Sequence, residues 1–336
     1  MITIRAALAV ALLRGYLIGR HVGFWGLATV SIGTWIVAPG WLPGALTGFA
    51  VVVGLLSVRA GRGLARWTVP EPVGVPIPPR LDSPLWTEVR KLCDRLRVRP
   101  PDEIRIGVDP VMELSERGRK LGLAAGTRRL QIGLPLLMGL STGEFRALLT
   151  HELAHDSREA GTLLATCHRI RHTLGPLLQR RPATVGVGFA ALARVILALE
   201  APASRRQERL ADRAAMRHNG RRSVAGMLRE VPVLTAAWRR YLTEVVVPAA
   251  RSGYAPLSIS DGFNHMREAW RDELEHLRNA PPESVRPAWD VHQPRLERLH
   301  QIDLTPEAPD QVRLVDPRHG LGPLVRQVET LLVGPR

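Results

Sequence analysis

The amino-acid sequence predicts an α+β protein in which an N-terminal transmembrane helical hairpin is followed by a mostly helical domain with a small β-sheet. Three observations lead to this prediction: a charge-free apolar segment near the N-terminus, a group of short strand-like runs in the first half of the chain, and helical patterning through most of the remainder. With 336 residues, 45% of them hydrophobic, the chain is long enough to bury a core in one large domain or two smaller ones.

The chain carries a formal charge of +15, almost wholly from arginine, because Lys91 and Lys120 are its only lysines. A basic surface of this kind favours anionic lipid or nucleic acid. The sequence shows neither interleaved basic and aromatic residues nor zinc-finger spacing, so we expect no nucleic-acid partner. Cys93 and Cys167 are too few for a disulfide framework and indicate a reducing compartment.

Residues 1–66 are predicted to be a membrane anchor. No Asp, Glu, Lys or Arg lies between Arg20 and Arg59, and the turn-forming stretch APGWLPG divides this segment into apolar runs at about 22–38 and 41–58, each near the lower length limit for a transmembrane helix. The late start of the apolar region, its doubling and the lack of a small-residue cleavage site argue against a signal peptide. A buried helical pair is the remaining alternative.

Arginines flank the predicted hairpin on both sides. By the positive-inside rule both flanks, and all of the chain that follows, face the cytoplasm. The sequence therefore predicts a multi-pass protein of the cell membrane, with the lipid membrane as a partner and the larger domain in the cytoplasm. The flanking arginines are Arg5, Arg14 and Arg20 before the hairpin and Arg59, Arg62 and Arg66 after it.

A proline-rich linker at 67–82 and a second domain at 83–336 are predicted next. The stretch TVPEPVGVPIPPRLDSP contains too much proline for a helix or a central strand. Ser83 and Pro84 then form a helix-start signature. The strand-like runs EIRIGV, RKLGLAA and RRLQIG follow, separated by the turn signals DP and AAGT, and predict a small sheet.

The stretch HELAH at 151–155 is the first candidate for a chemical site. The preceding STGE is typical of a capping box, with Ser141 as N-cap and Glu144 three residues on, and predicts a long helix running past His155. On a helix, H-E-x-x-H places two imidazoles one turn apart on one face beside a carboxylate, as a metal-activated water requires. Because so short a pattern also arises by chance, the rest of the sequence has to supply a further ligand.

The stretch ERLAD supplies that ligand. It lies in a second predicted helix, SRRQERLADRAAMRHNG, with Ser204 as N-cap and Gly220 as its C-terminal stop. Glu208 and Asp212 stand one turn apart, so both carboxylates can face one site. In isolation Glu208 would be interpreted as an exposed helix charge among arginines; downstream of an HExxH helix, it is a candidate ligand.

A catalytic zinc ion usually has three protein ligands and leaves a fourth position to water. His151, His155 and Glu208 are the predicted ligands. Asp212 is expected to accept a hydrogen bond from the far nitrogen of a ligand histidine and so to fix its tautomer. Glu152, beside the ligands but not one of them, is the predicted general base, which takes a proton from the activated water and passes it to the leaving amine.

Two further features carry less information. The apolar run at 183–201 predicts a core or membrane-apposed helix rather than a third crossing, because it is short and contains Arg194. The stretch HRIRH places His168 and His172 at ligand spacing without an acid between them, and we expect both on the solvated side of a helix. The sequence contains no nucleotide-binding glycine loop and no G-x-S-x-G serine elbow.

Three segments together resemble a known family. LGLAAGTRRLQIGLPLLMGLSTGEFRALLTHELAHDSREAG, then RRQERLADRAA, then WDVHQPRLERL look like the HtpX-like membrane-associated zinc endopeptidases, relatives of the CAAX prenyl proteases. The resemblance covers most of residues 82–305 and implies a zincin-type metallopeptidase domain of the gluzincin kind with one zinc ion per chain. It implies that His151, His155 and Glu208 bind zinc, that Glu152 is the catalytic acid/base, and that Asp212 supports the ligands.

Two departures from the family pattern concern the surroundings of the site. The third segment has Gln293 where the family commonly has proline, although His292 is retained and could polarise the oxyanion of the tetrahedral intermediate. A structural histidine at a helix start is the alternative for His292. Where the family often has an Asn-Ala pair before the edge strand, this chain has Glu113 and Leu114.

The expected function is therefore that of a membrane-anchored zinc endopeptidase in protein quality control, acting on polypeptide substrates. An extended peptide is expected to pair with an edge strand near residues 119–133, above the zinc helix. Two alternatives remain open: a dedicated regulatory, antirepressor-type protease, and a zinc-binding but catalytically inactive scaffold or holdase. The sequence does not predict the oligomeric state.

Overall fold

The computed structural model describes residues 2–37, 40–66, 73–79, 83–119, 121, 123–157, 161–180, 187–254, 258–279, 295–303 and 316–333. In these residues the chain is mostly helical with a small mixed sheet, which confirms the predicted α+β class at that level. The chain divides into two compact units. Unit 1 comprises Met1–Glu71, Gly118–Ala125 and Thr166–Ser204, and unit 2 comprises Pro72–Arg117, Gly126–Ala165 and Arg205–Arg336.

Two long helices, α1 (Ile2–Val37) and α2 (Trp41–Arg66), form a hairpin in unit 1. Near its turn the hydroxyl oxygens of Ser31 and Thr47 lie 2.7 Å apart, and the indole N–H of Trp35 donates to Thr47 Oγ1 at 2.9 Å. These bonds fasten the two helices to each other. Large apolar side chains remain exposed along both helices, among them Ile18, Val22, Trp25, Ile36, Trp41, Phe49 and Leu55.

Among the described residues, one helical segment is long and apolar enough to cross a membrane, Ile2–Gly19 near the N-terminus. Two shorter apolar helical segments follow at Trp25–Val37 and Trp41–Val52. These shorter segments are the apolar parts of the spans that the sequence predicts at 22–38 and 41–58. A buried core helix and a signal sequence meet the same length and composition criterion, so unit 1 contains a candidate membrane helix.

Unit 1 also contains most of α6 (Gly161–Arg180) and the first part of α7 (Val187–Tyr241). The prediction that Ser204 caps a new helix is wrong, because α7 runs through this position and the Ser204 hydroxyl donates within the helix to Glu200. The predicted stop at Gly220 is confirmed: with φ 79° and ψ 158° this residue interrupts the helix. Glycine adopts such a φ at little cost, unlike other residues.

The described part of the apolar run at 183–201 packs on one side within unit 1. The ring of Phe189 lies against that of Tyr16 in α1, with centroids 4.9 Å apart. Val195 points the other way and is 49% exposed. A helix that packs on one side and is exposed on the other is expected to lie against a core or a membrane surface.

A buried ion pair joins α6 to α7 inside unit 1. The guanidinium of Arg171 contacts the carboxylate of Glu200, whose side chain is fully buried. Arg171 Nη2 also donates to the carbonyl oxygen of Leu197 at 3.2 Å. The pair therefore anchors two consecutive helices to each other, with Glu200 fully buried and Arg171 largely so.

Unit 2 is built on a four-stranded mixed sheet with the order β1-β2-β4-β3. The strands are β1 (Gly74–Ile77), β2 (Glu103–Gly107), β3 (Met112–Arg119) and β4 (Ala124–Gly133). β1 pairs with β2 in antiparallel fashion, and β2 pairs with β4 in parallel. β1 lies inside the segment predicted to be a linker, 67–82; its proline is tolerated because this strand is at the edge of the sheet.

The β3–β4 hairpin differs from the prediction. The centre of RKLGLAA, predicted to be a strand, is a turn containing Leu121, and AAGT, predicted to be a turn, begins β4. β4 has β2 on one side and β3 on the other, so the edge strand at this end of the sheet is β3. The expectation of an edge strand near 119–133 is therefore wrong for β4, whose backbone groups are already paired.

Three helices cover the sheet and form the core of unit 2 with it: α3 (Pro84–Leu96), α4 (Leu134–Gly139) and α5 (Thr142–Ala154). The helix start predicted at Ser83 and Pro84 is confirmed. Buried side chains from β2, β4 and α5 meet in this core, namely Ile104, Ile106, Leu130, Ile132, Phe145 and Leu149.

The remaining elements of unit 2 are helical. After α7 come a π-helical turn at Leu242–Val246, α8 (Val247–Arg251), α9 (Ile259–Ala269), α10 (Arg271–Asn279), α11 (Arg295–Asp303) and α12 (Gly322–Val333). α12 packs against β1 and β2. Two of these elements contribute to the site: Arg298 of α11 reaches Asp212, and Arg318, in the segment before α12, reaches the junction between α4 and α5.

Candidate metal centre

The helix that carries HELAH begins with the predicted capping box. Ser141 Oγ accepts a hydrogen bond from the Glu144 N–H at 3.3 Å, and Glu144 Oε2 accepts one from the Ser141 N–H at 2.9 Å. The helix ends at Ala154 and does not run past His155 as predicted, because His155 is its C-cap, although the φ of −56° and ψ of −30° of His155 are still helical. His151 and His155 therefore keep the one-turn spacing that puts their imidazoles on one face.

Arg318 holds the start of this helix from a distant part of the chain. Its guanidinium donates to the carbonyl oxygens of Leu137, at 3.0 Å, and Leu140, and to the hydroxyl of Thr142 at 3.2 Å. Arg318 also pairs with Asp316 at 2.6 Å. The hydrogen bonds that Arg318 donates to Asp316 lower the pKa of the Asp316 carboxyl to about 2. The junction between α4 and α5 is thus held by side chains that sequence reasoning did not identify.

The three predicted ligands meet in the interior of unit 2. Nε2 of His151 lies 3.6 Å from Oε2 of Glu208, and Nε2 of His155 lies 3.6 Å from Oε1. The ligand atoms are all within 4.8 Å of one another, and all three side chains are buried. The imidazole rings are nearly perpendicular, at 89°, with centroids 4.9 Å apart.

These distances fit a metal ion better than direct hydrogen bonds. Zinc binds nitrogen and oxygen ligands at about 2.0–2.2 Å, which places neighbouring ligand atoms of a tetrahedral site about 3.3–3.6 Å apart. A separation of 3.6 Å is beyond an effective hydrogen bond. The donor set of two imidazoles and one carboxylate could therefore hold a metal ion.

Asp212 lies behind the ligands, as predicted. Its Oδ1 is 3.0 Å from Nδ1 of His151, which leaves Nε2 of that ring directed at Glu208. Burial raises the pKa of the Asp212 carboxyl, but the hydrogen bond and charge of His151, together with Arg298, outweigh burial and lower that pKa to about 2. Asp212 is therefore an anion at neutral pH.

The same contacts act on His151. Burial lowers its pKa, but the contact with Asp212 and the negative charges of Asp212 and Glu208 outweigh burial and raise the pKa to about 10. Without a metal ion, His151 consequently holds a proton at neutral pH. Metal binding has to release that proton, because a ligand imidazole nitrogen must be free of it.

Arg298 of α11 completes this chain of contacts. Its Nε donates to Asp212 Oδ2 at 2.9 Å and its Nη2 to Oδ1 at 2.6 Å, a bidentate pair with both partners nearly buried. Burial lowers the pKa of Arg298, but the charges of Asp212, Glu208 and Glu152 raise it above the usual value. Sequence reasoning assigned Arg298 no role, although it lies in WDVHQPRLERL, the segment that carried the third part of the resemblance.

Glu152 is half-buried beside His151 on α5. Its effect on Arg298 places its carboxylate in the same electrostatic environment as the metal ligands. Glu152 is thus close to the ligand group without belonging to it, and its role as a base stays a prediction.

Further side chains fasten α7 to α5 on either side of the ligands. The side-chain amide of Gln207 donates to the carbonyl oxygen of His155, and that of Asn219 donates to Thr150 Oγ1 at 2.9 Å. Because Gln207 precedes Glu208 directly, its bond helps to set the distance between the two ligand helices.

Other predicted site residues lie elsewhere. His292 and Gln293 lie outside the described residues. Glu113 and Leu114 lie on β3, where Leu114 is buried and Glu113 is half-buried. The rings of His168 and His172 in α6 lie against each other, tilted by 54° with centroids 4.2 Å apart, and both residues are half-buried rather than fully solvated.

Comparison of the chain with protein-family models, with curated proteins and with solved structures found no match. A functional assignment therefore rests on the residues themselves and on the geometry in which His151, His155 and Glu208 meet.

Proposed function

We propose that this protein is a membrane-anchored, zinc-dependent endopeptidase that hydrolyses peptide bonds in polypeptides. One observation carries the proposal: the two histidines of an HExxH helix converge with Glu208, a buried carboxylate from another helix, while Glu152 of the same motif stands beside them. Two imidazoles and one carboxylate are the protein ligands of a catalytic zinc site that leaves a position for water.

His151, His155 and Glu208 would hold the zinc ion. When bound, zinc supplies a Lewis acid that polarises the peptide carbonyl and lowers the pKa of water. Asp212 and Arg298 keep His151 in one orientation and one tautomer. These buried charges thereby position a ligand, which limits how much the site has to reorganise during the reaction.

Glu152 would move the proton. Its carboxylate oxygen takes a proton from the attacking water and then delivers it to the nitrogen of the leaving amine. The positive charge of Arg298 nearby favours the ionised carboxylate that the first step requires. A hydrogen bond from His292 to the oxyanion stays a prediction.

Substrate and location follow from the rest of the molecule. β3 offers an edge strand along which an extended peptide could pair, and we propose it as the peptide-binding strand in place of β4. The exposed apolar surface of α1 and α2 supports insertion of both helices in the cell membrane, and the flanking arginines support a cytoplasmic orientation of unit 2. A role in protein quality control is the most general one that fits an endopeptidase at this location.

The second candidate is a zinc-binding scaffold without turnover. It is favoured by Glu113 and Leu114 on β3, because they replace the residues usual in the resembling family on the strand that a peptide would contact. The position of Glu152 favours the peptidase.

Metal analysis and proteolysis of the full-length chain separate the two candidates. We expect about one zinc per chain and casein cleavage for the wild type, full zinc without cleavage for Glu152→Gln, and loss of both for Glu208→Ala. Glu268→Gln, an exposed position on α9, is the matched control and should retain both. Full zinc without wild-type cleavage of any substrate would establish the scaffold, and a wild type that binds no zinc would refute both.

A further inference from the structure

Arginines are concentrated on α7 beside the residues that face the metal centre. Between residues 205 and 222 the sequence contains seven arginines and only two acidic residues, Glu208 and Asp212. Both acidic side chains are buried in the metal centre. The outward side of this segment therefore has no acidic residue of its own to balance its charge.

Five of these arginines form what we call the arginine stripe. At about 100° per residue they fall within about one third of the helix circumference, whereas Glu208 and Asp212 fall outside that arc. Four of the five are exposed, and Arg209 is half-buried. The stripe consists of Arg205, Arg206, Arg209, Arg213 and Arg217.

Four of the five stripe arginines are not neutralised within the described part of the chain. No ion pair there joins Arg205, Arg206, Arg209 or Arg213 to a carboxylate, in contrast to Arg240 elsewhere, which pairs with two glutamates. Like charges one turn apart repel each other, so the row is unfavourable for the helix by itself. Arginines four residues apart are separated by about 6 Å along the helix axis, which suits an anionic surface that contacts several of them at once.

Its place in the sequence indicates the kind of surface. The stripe begins at Arg205 and lies opposite no acidic side chain that is exposed on the same segment, and clusters of about four to eight basic residues on one side of an amphipathic helix are typical of segments that bind acidic lipid. Residues 205–222 contain no Phe, Trp or Tyr, so they lack the side chains on which nucleic-acid bases stack.

We propose that the arginine stripe binds the phosphate groups of acidic phospholipids. The bilayer surface then becomes a partner of the helix that supplies Glu208, in addition to any membrane helix in unit 1. Binding along one side of α7 also fixes the rotation of this helix about its own axis relative to the bilayer. The proposal rests on the membrane attachment described above and is independent of peptidase activity.

The test compares lipid selectivity among three forms of the full-length chain. Each is purified in nonionic detergent and mixed with phosphatidylglycerol and phosphatidylcholine of equal chain length, and the lipids retained per chain are counted by native mass spectrometry. The stripe variant carries Arg205→Gln, Arg209→Gln and Arg213→Gln. The control variant loses the same charge at exposed, scattered positions, Arg229→Gln, Arg239→Gln and Arg251→Gln.

We expect the preference for phosphatidylglycerol to fall about tenfold in the stripe variant and less than about twofold in the control. An unchanged preference in the stripe variant, or an equal fall in both, overturns the proposal. Binding of a fluorescent single-stranded oligonucleotide is measured on the same samples. Loss of that binding in the stripe variant, with lipid preference intact, identifies a nucleic-acid surface instead.

Two measurements keep the result interpretable. Circular dichroism and zinc content report whether the stripe variant folds. If it does not, a variant with lysine at the same three positions replaces it; this variant keeps the charge and should keep the lipid preference. Resistance of the wild type to carbonate extraction from membranes tests the apolar anchor separately. An extractable chain that retains a stripe-dependent lipid preference refutes the anchor and leaves the stripe in place.

Discussion

Each unit contains a largely buried pair of an arginine and a carboxylate, and the two pairs have different roles. In unit 1, Arg171 and Glu200 join two consecutive helices. In unit 2, Arg298 reaches across 86 residues to Asp212, which in turn contacts His151. The first pair holds helices together, whereas the second continues into the metal centre. The same chemistry thus serves stability in one place and the orientation of a ligand in the other.

Removing one partner of the unit 1 pair should have the largest effect. Arg171→Met leaves the carboxylate of Glu200 buried without its cation, and we expect the free energy of unfolding to fall by about 3–5 kcal/mol. Denaturant unfolding followed by circular dichroism measures the change. The double variant Arg171→Met with Glu200→Leu removes both charges and should recover most of the loss. A single variant as stable as the wild type would show that water reaches this pair.

Removing the arginine of the unit 2 pair should act mainly on metal binding. Arg298→Met frees Asp212 from its bidentate partner, and loss of such an outer contact typically weakens metal affinity 10–100-fold, or about 1.4–2.7 kcal/mol. Competition with a chelator measures the affinity. Arg326→Met, an exposed arginine on α12, is the control and should leave the affinity unchanged. Equal zinc affinities in the wild type, Arg298→Met and Arg326→Met would show that the pair of Arg298 and Asp212 has only a structural role, like the pair in unit 1.

The capping box tests, with a smaller expected effect, whether the start of α5 influences zinc binding at its other end. Ser141→Ala removes the acceptor for the Glu144 N–H, and we expect a loss of about 1 kcal/mol in stability together with weaker zinc binding. Ser258→Ala removes the same kind of cap from α9, which carries no ligand, and should lower stability alone. If both variants weakened zinc binding equally, general destabilisation rather than the placement of α5 would be responsible.

The pair of Asp316 and Arg318, nearer to solvent than the two buried pairs, should have the smallest effect. The carboxyl pKa is lowered from 3.8 to about 2, so its stabilisation is present above pH 3.8 and is lost as the pH falls towards 2. Because the side chain is 40% exposed, screening limits the contribution to below about 1 kcal/mol. Thermal unfolding of Asp316→Asn and wild type should differ above this window and converge below it. A difference that grows at low pH would contradict the assignment.

The parts of the site that depend on local spacing could be predicted from the sequence. His151 and His155 are one turn apart, Glu208 and Asp212 are one turn apart, and helix periodicity alone puts each pair on one face. The capping box at Ser141 is equally local. Such features need no knowledge of which elements meet in space.

The parts of the site that depend on contacts between distant residues could not be predicted from the sequence. Nothing near Arg298 or Arg318 in the sequence shows that one reaches Asp212 and the other the start of α5. The strand β3 was overlooked because polar and charged residues fill it, although Met112 and Leu114 are buried and Glu113 is only half-buried, as expected at the edge of a sheet.

The helix boundary before Ser204 was misplaced for a related reason. The sequence predicts Ser204 as an N-cap, since serine is favoured at that position, and Pro202 two residues earlier also favours a break. In the structure α7 continues through both residues. The packing of its apolar first part in unit 1 therefore outweighs the local preference for a break.

The long reach of Arg298 and Arg318 has a consequence for biosynthesis. A ribosome makes HELAH and ERLAD well before it makes these two arginines, so the growing polypeptide has its ligand residues before it has the side chains that hold them in place. A fully supported metal centre can form only after residue 318 has been translated. The order of the genetic message thus delays the completed site until residue 318 has been added, when the elements of unit 2 that precede it are available to enclose it.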